Sequence, residues 1–202
     1  MVDLKQYEND LYKEGYKYIA GVDEVGRGPL VGPVVAACVV LPFDFVLDGL
    51  NDSKKLTEKK RDIYYDIIMD KALGVGIGIV DEKEIDRINI YQATKVAMKI
   101  AISNVKCHID YVLIDAMPLE LSVPSLPIIK GDAKSLTIAA ASVIAKVTRD
   151  KMMYELDKEY PEYGYKKHKG YPTSAHIAAL KVHGVKPFYR MTYGPVSDLI
   201  NK

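Results

Sequence analysis

The chain has 202 residues, 49% of them hydrophobic and 27% charged, which is ordinary globular composition and excludes a disordered, collagen-like or low-complexity protein. Its 28 basic and 27 acidic residues nearly cancel, so bulk charge selects no partner, and the two cysteines, Cys38 and Cys107, are too few and too far apart for a disulfide scaffold. They read as buried free thiols in a reducing compartment. The polar opening, MVDLKQYENDLYKEGYKY, is no secretory signal. The longest apolar run, Val34 to Leu41, falls far short of the roughly 20 residues that cross a bilayer. A soluble, cytoplasmic protein without membrane contact is therefore expected.

The first 15 residues carry no clear pattern. Tyr18 to Val25 predicts a strand, followed by a turn rich in Gly and Pro and then by Val34–Leu41. That second run is continuous, β-branched and bounded by prolines, the pattern of a strand buried on both faces. Asn51 to Thr57 is a polar loop, and Thr57 makes an N-cap for a helix to about Asp70. Leu73 to Val80 alternates glycine with Val and Ile, a strand whose glycines permit close packing. A short helix over Asp81–Arg87 and a longer one over Ile90–Val105 follow at helical spacing. Tyr111–Ile114 predicts another buried strand ending at Asp115, and Ile128-Ile129 a short one. The longest helix is expected from about Ala133 to Tyr160, and a last short helix from Ser174 to His183. Strands first, then strands interleaved with helices, indicate an α/β sheet layered by helices. The residues after 160 read as a small C-terminal helical subdomain.

Carboxylates fall where buried strands end. Asp23 and Glu24 close the first strand, Asp115 closes the Tyr111–Ile114 strand, and Asp132 precedes the longest helix. Ligand sites of α/β sheets gather at strand ends. Several carboxylates converging there need a counter-charge, which hard divalent cations with oxygen ligands, Mg²⁺ or Mn²⁺, supply. Two such ions about 4 Å apart are a standard arrangement for phosphodiester hydrolysis. Adjacent strand residues point to opposite faces, so Asp23 and Glu24 meet in one cluster only if the chain leaves the strand at Glu24. The plainer readings remain open: Asp132 as an N-cap, Asp115 as a strand terminator, Asp23-Glu24 as a solvated turn.

Gly26-Arg27-Gly28-Pro29 is a flexible turn whose backbone N–H groups can approach a phosphate or sugar, though it lacks the Gly-Lys-Ser/Thr ending of a P-loop. From Lys146 to Arg190 ten basic residues face five acidic ones. Within that stretch, Tyr163 to Pro172 is a basic aromatic loop. Its His168, with Lys166, Lys167 and Lys169, suits phosphate contacts, and Tyr171 offers a flat face to a sugar or base. A merely solvated basic loop is the alternative. Lys146 and Arg149 on the longest helix either face the same groove or solvate its outer side. The histidines have no cysteine companions at zinc-ligand spacing.

Taken together, Ala20-Gly-Val-Asp-Glu-Val-Gly-Arg-Gly-Pro-Leu30, Asp52-Ser-Lys-Lys-Leu56, Leu113-Ile-Asp115, Gly131-Asp132 with Ile138-Ala-Ala-Ala-Ser-Val-Ile-Ala-Lys-Val147, and His168-Lys-Gly-Tyr171 resemble the ribonuclease HII family, in order, from about Tyr18 to Val196. One departure is Ala116-Met117 after Asp115, where that family usually has glycine. The resemblance implies an RNase H-like fold, a mixed central sheet flanked by helices over residues 1–160. A C-terminal helical subdomain over 161–202 would close the substrate groove. It further implies metal-dependent cleavage of the RNA strand of RNA–DNA hybrids, and incision 5′ of single ribonucleotides in duplex DNA by metal-activated water, giving 3′-OH and 5′-phosphate ends. By matching positions, Asp23, Glu24, Asp115 and Asp132 would be the catalytic metal ligands, holding two Mg²⁺ or Mn²⁺ ions with substrate bound. Gly26, Arg27 and Gly28 would contact the ribose 2′-OH, Tyr171 would stack at the RNA–DNA junction, and Lys54, Lys146, Arg149, His168 and Lys169 would meet phosphates. A monomer acting on hybrid or ribonucleotide-containing DNA duplexes is expected. The alternatives are a recombination nuclease with no 2′-OH sensor, a nucleic-acid-binding module without catalysis, and a small-molecule phosphatase, against which the basic aromatic loop counts.

Overall fold

The computed structural model describes residues 4–50, 53 and 56–201. Its centre is a five-stranded sheet in the order β3-β2-β1-β4-β5, built from β1 (Ile19–Val25), β2 (Val34–Val40), β3 (Gly74–Val80), β4 (Tyr111–Asp115) and β5 (Ser125–Ile128). The β1–β2 and β2–β3 pairs are antiparallel, whereas β1–β4 and β4–β5 are parallel. β2 is buried along its whole length because helices cover both faces of the sheet. Its Val34, Ala36, Cys38 and Val40 pack with Ala93, Ala97, Met98 and Ala101 of α3 (Glu82–Ser103). The alternate residues, Ala37 and Val39, pack with α2 (Glu58–Lys71) and α4 (Leu136–Glu159). This period-two division is what places one apolar layer on each side of the sheet.

Most expected elements are present, with informative shifts. The two helices expected over 81–105 are both present as the two arms of α3, which meet at Asn89, whose φ of 67° is non-helical and whose Oδ1 accepts from Tyr91 N and Gln92 N. A side chain on Gly78 would lie 1.9 Å from the Ala97 carbonyl oxygen, so α3 sits directly on β3. The fifth strand begins at Ser125 rather than Ile128; Pro127 is tolerated because this is an edge strand. The long helix begins at Leu136, capped by Ser135 Oγ accepting from Ile138 N at 3.2 Å, so Asp132 is not its N-cap. Asp132 instead belongs to a separate 3₁₀ turn, Gly131–Ala133.

Three helices had no sequence expectation: α1 (Gln6–Lys13), α5 (Tyr165–His168) within the basic loop, and α7 (Gly194–Ile200). With α6 (Ser174–His183), the C-terminal helices share an apolar cluster with Leu30, Val31 and Met153, which anchors the end of the chain beside the glycine turn. Cys38 is buried, Cys107 only half-buried, and both are free thiols. Among the described residues no helix is long and apolar enough to cross a membrane.

Candidate active site

β1 and β4 run parallel and stay paired as far as Val22 opposite Ile114. The next residue on each strand is an aspartate, Asp23 and Asp115, so the strand ends deliver both carboxylates to one level of the sheet. The expectation that the chain leaves the strand at Glu24 is corrected: Glu24 and Val25 remain paired with Ala36 and Val35 of β2. The opening lies on the other side of β1, where the pairing with β4 has stopped. There Asp23, Glu24 and Asp115 each offer an oxygen within 4.8 Å of the others.

Such crowding has electrostatic consequences. Asp23 is 5% exposed, and its carboxyl lies well above the ordinary aspartate range, first through burial and then through the charges of Glu24 and Asp115. A Ser142 hydrogen bond and the Glu24 N–H, 2.7 Å from Asp23 Oδ1, oppose that rise. Glu24 is raised too, mainly by burial, and Arg27 at 3.6 Å partly offsets it. Asp115 Oδ1 accepts from Gly131 N at 2.6 Å. Three hard oxygen donors crowded into one cluster form a donor set suited to a divalent cation such as Mg²⁺ or Mn²⁺. Asp132 stands outside this group. Its turn follows β5, which lies across β4 from β1, so three of the four expected acids share a cluster and the fourth flanks it.

A cleft of about 280 Å³ opens over the acids, lined by Asp23, Glu24, Val25, Ser53, Arg61, Ser142, Lys146 and Tyr171. Lys146 thus faces the groove, paired with Asp150 at 2.6 Å. Ser53, Arg61 and Ser142 were not anticipated. Ser142 sits in the run Ala139-Ala-Ala-Ser-Val, which looks like plain helix core, and Arg61 lies on a polar helix face, so neither carried a local signal. Arg61 donates to the Ser53 and Leu56 carbonyls at 3.1 and 2.6 Å, and the Ser53 and Ser142 hydroxyls are 2.8 Å apart. Lys54 lies outside the described residues.

The glycine turn meets Tyr171. Gly26 has φ +95°, and a side chain there would collide with Arg149; a side chain on Gly28 would come within 3.3 Å of the Tyr171 ring. Arg27 and Gly28 are exposed beside it.

Two expected phosphate contacts are corrected. Arg149 is fully buried, and its guanidinium donates to the carbonyls of Pro33 (3.1 Å), Lys169 (2.9 Å) and Val31 (3.0 Å), tying the glycine turn to the basic loop. His168 uses both ring nitrogens internally, Nε2 on the Tyr163 carbonyl at 2.8 Å and Nδ1 accepting from Gly170 N at 3.2 Å, and it stacks on His176 at 4.2 Å. Burial holds its pKa below the usual value. Lys169 places its ammonium 4.2 Å from the Tyr154 ring centre and donates to the Lys166 carbonyl.

The sequence matches the family model for ribonuclease HII over residues 20–195. Ribonuclease HII of Bacillus mycoides (strain KBAB4) is 56% identical over 201 residues, an alignment covering 100% of this chain and 78% of that one. Ribonuclease H2 from Pyrococcus horikoshii OT3 superposes with a TM-score of 0.81 at 26% identity, over 91% of this chain and 97% of that one. Bst-RNase HIII, solved in complex with Mn²⁺, shares the fold at a TM-score of 0.65 and 16% identity, over 94% and 71% of the two chains. Matched by sequence along nearly all of its length and by fold across the sheet that carries the acids, the chain belongs to the ribonuclease HII family and is a type 2 ribonuclease H, a hydrolase acting on RNA–DNA hybrids.

Proposed function

We propose that this ribonuclease, besides cutting the RNA strand of hybrids, incises duplex DNA immediately 5′ of a single embedded ribonucleotide, leaving 3′-OH and 5′-phosphate ends. The observation that carries this reading is that acids of the cluster and the Tyr171 ring line one cleft, with Gly28 of the glycine turn against that ring. A single ribonucleotide differs from its neighbours in its 2′-OH, which a closely approaching backbone can sense.

Asp23, Glu24 and Asp115, with Asp132 beside them, are the acids of the reaction in this reading. Divalent ions bound there supply positive charge that offsets the carboxylates and polarises the scissile phosphodiester. The N–H groups of the glycine turn hold the 2′-OH, and Tyr171 rests against the neighbouring deoxyribose. Lys146 and Arg61 face the strand from the cleft wall and suit its phosphates. Water must be the nucleophile, because the 2′-OH of that nucleotide lies on the far side of its sugar from the phosphate being cut. In this reading residues 161–202 close the groove over residues 1–160, the protein works in the cytoplasm, and because every group named lies on one chain a monomer suffices.

The test is a labelled DNA duplex holding one ribonucleotide, incubated with Mg²⁺, with Mn²⁺ and with chelator. One metal-dependent incision on the 5′ side of the ribonucleotide is expected. Asp115→Asn should abolish it, losing more than the about 10–100-fold that follows removal of a group merely supporting a metal site. Calorimetric titration of the variant with Mn²⁺ should show weakened binding as well. Equal cutting of an all-DNA duplex, or full activity in Asp115→Asn, would overturn the reading.

A further inference from the structure

Arg190, between α6 and α7, is fully buried, yet its guanidinium is held by neutral oxygens. Nε donates to the Gly32 carbonyl at 3.0 Å, and Nη2 to Gly32 at 2.8 Å and to Gly26 at 2.6 Å. Nη1 donates to the Arg27 carbonyl at 3.1 Å and to the Tyr193 hydroxyl at 3.0 Å; that hydroxyl donates in turn to Arg27 O at 2.7 Å. Burying a cation against carbonyls carries a large desolvation cost, and a packed apolar residue would serve plain stability as well. What the charge accomplishes is geometric. It gathers the carbonyls of Gly26, Arg27 and Gly32 to one point.

In a trans peptide the C=O and the N–H of the following residue point in opposite directions. Fixing the Gly26 and Arg27 carbonyls on the buried guanidinium therefore aims the N–H groups of Arg27 and Gly28 outward. Both residues are exposed, and among the described residues neither N–H has a protein acceptor. The aromatic ring of Tyr171 borders the same turn.

We propose that Arg190 is a positioning residue for sugar discrimination: its planar fork fixes the turn so that the Arg27 and Gly28 N–H groups are presented to the 2′-oxygen of the substrate. This rests on the reading of Gly26–Gly28 as the ribose-sensing turn. Lysine cannot substitute, because one ammonium lacks the flat, forked set of donors that reaches three carbonyls together.

The test compares kcat/KM on two duplexes that differ at one position, a ribonucleotide in one and a 2′-fluoro nucleotide in the other. Fluorine keeps a ribose-like pucker but accepts hydrogen bonds poorly. This ratio does not depend on the fraction of enzyme that is folded. The wild type should prefer the ribonucleotide, and Arg190→Lys should shrink that preference about tenfold or more, the worth of one or two positioned hydrogen bonds. Tyr193→Phe, which deletes one hydroxyl from the same network and covers the case in which Arg190→Lys fails to fold, should shrink it about threefold. An unchanged preference in a natively melting Arg190→Lys, or in Tyr193→Phe, overturns the role of Arg190. No preference in the wild type overturns the reading of the turn itself, and the proposal with it.

Discussion

The carboxylates at the strand ends show how position along a chain becomes chemistry. Asp23 and Asp115 were legible in the sequence because each ends a buried apolar run, and in a parallel pair two such ends fall side by side. Glu24 was harder, since its backbone stays in the ladder while its carboxylate still joins the group across the gap left by β4. The buried arginines were not legible. Arg149 and Arg190 look like surface charge in a basic stretch, and only the folded chain shows carbonyls converging on them. Ala116 carries a sharper consequence. It has φ +50°, immediately after Asp115, with Met117 N 2.6 Å from the Asp115 carbonyl oxygen. A left-handed conformation costs a residue with a Cβ on the order of 1 kcal/mol, and glycine escapes that cost. Ala116→Gly should therefore stabilise the protein by only about 0.5 kcal/mol in urea unfolding, because the entropy glycine adds to the unfolded chain takes back about 0.5–1 kcal/mol of the strain released. A destabilised variant would show that the left-handed turn is not strained.

Helices with an apolar stripe were readable from spacing alone, as α2 and both arms of α3 were. α1 was not, because its buried residues are Leu11 and a carboxylate, Glu8, which no hydrophobic period can reveal. Glu8 Oε1 accepts from Ser135 Oγ at 2.6 Å, Thr137 Oγ1 at 2.9 Å and Thr137 N at 3.0 Å, at the N-terminus of α4 where a negative charge is favoured. Leu4 O also accepts from Leu136 N at 2.8 Å. α1 thus clamps the segment directly after Gly131 and Asp132. Glu8→Ala removes the acceptor shared by three buried donors and should cost about 2–4 kcal/mol, one such orphaned group being worth about 1–3. Glu8→Gln keeps an oxygen there and should cost less. Equal stability of Glu8→Ala and wild type in urea would show that water replaces the clamp. The missed α5 and α7 have a similar cause: one is a four-residue turn inside a basic stretch, the other a short helix opened by Pro195.

At the level of the whole molecule, the sheet supplies acids to the cleft and the C-terminal part of the chain supplies Tyr171, which is backed by a directional hydrogen-bond chain within that same part. The Tyr171 carbonyl can only accept, so His176 Nδ1, 2.9 Å away, carries the proton. Nε2 then accepts from the Tyr189 hydroxyl at 2.8 Å, and the Tyr189 oxygen accepts from Tyr165 at 2.9 Å. This order holds only for a neutral imidazole, and burial pushes His176 down to about 4 from the ordinary value near 6.5. A histidine depressed on folding binds its proton more readily in the unfolded chain, so it contributes stability that is complete above about pH 6.5 and lost as the pH falls towards 4. A depression of that size corresponds to on the order of 3 kcal/mol. Asp23 and Glu24 act in the opposite sense: they are raised on folding, so they favour the folded state at acid pH and lose that contribution as pH rises. The histidine contribution is therefore isolated by difference. Urea unfolding of wild type and His176→Asn, both in chelator, shares the carboxylate terms, and the gap between the two stability curves should narrow as pH falls from 6.5 to 4. Parallel curves across that window would show that the imidazole is protonated as easily inside the fold as outside it.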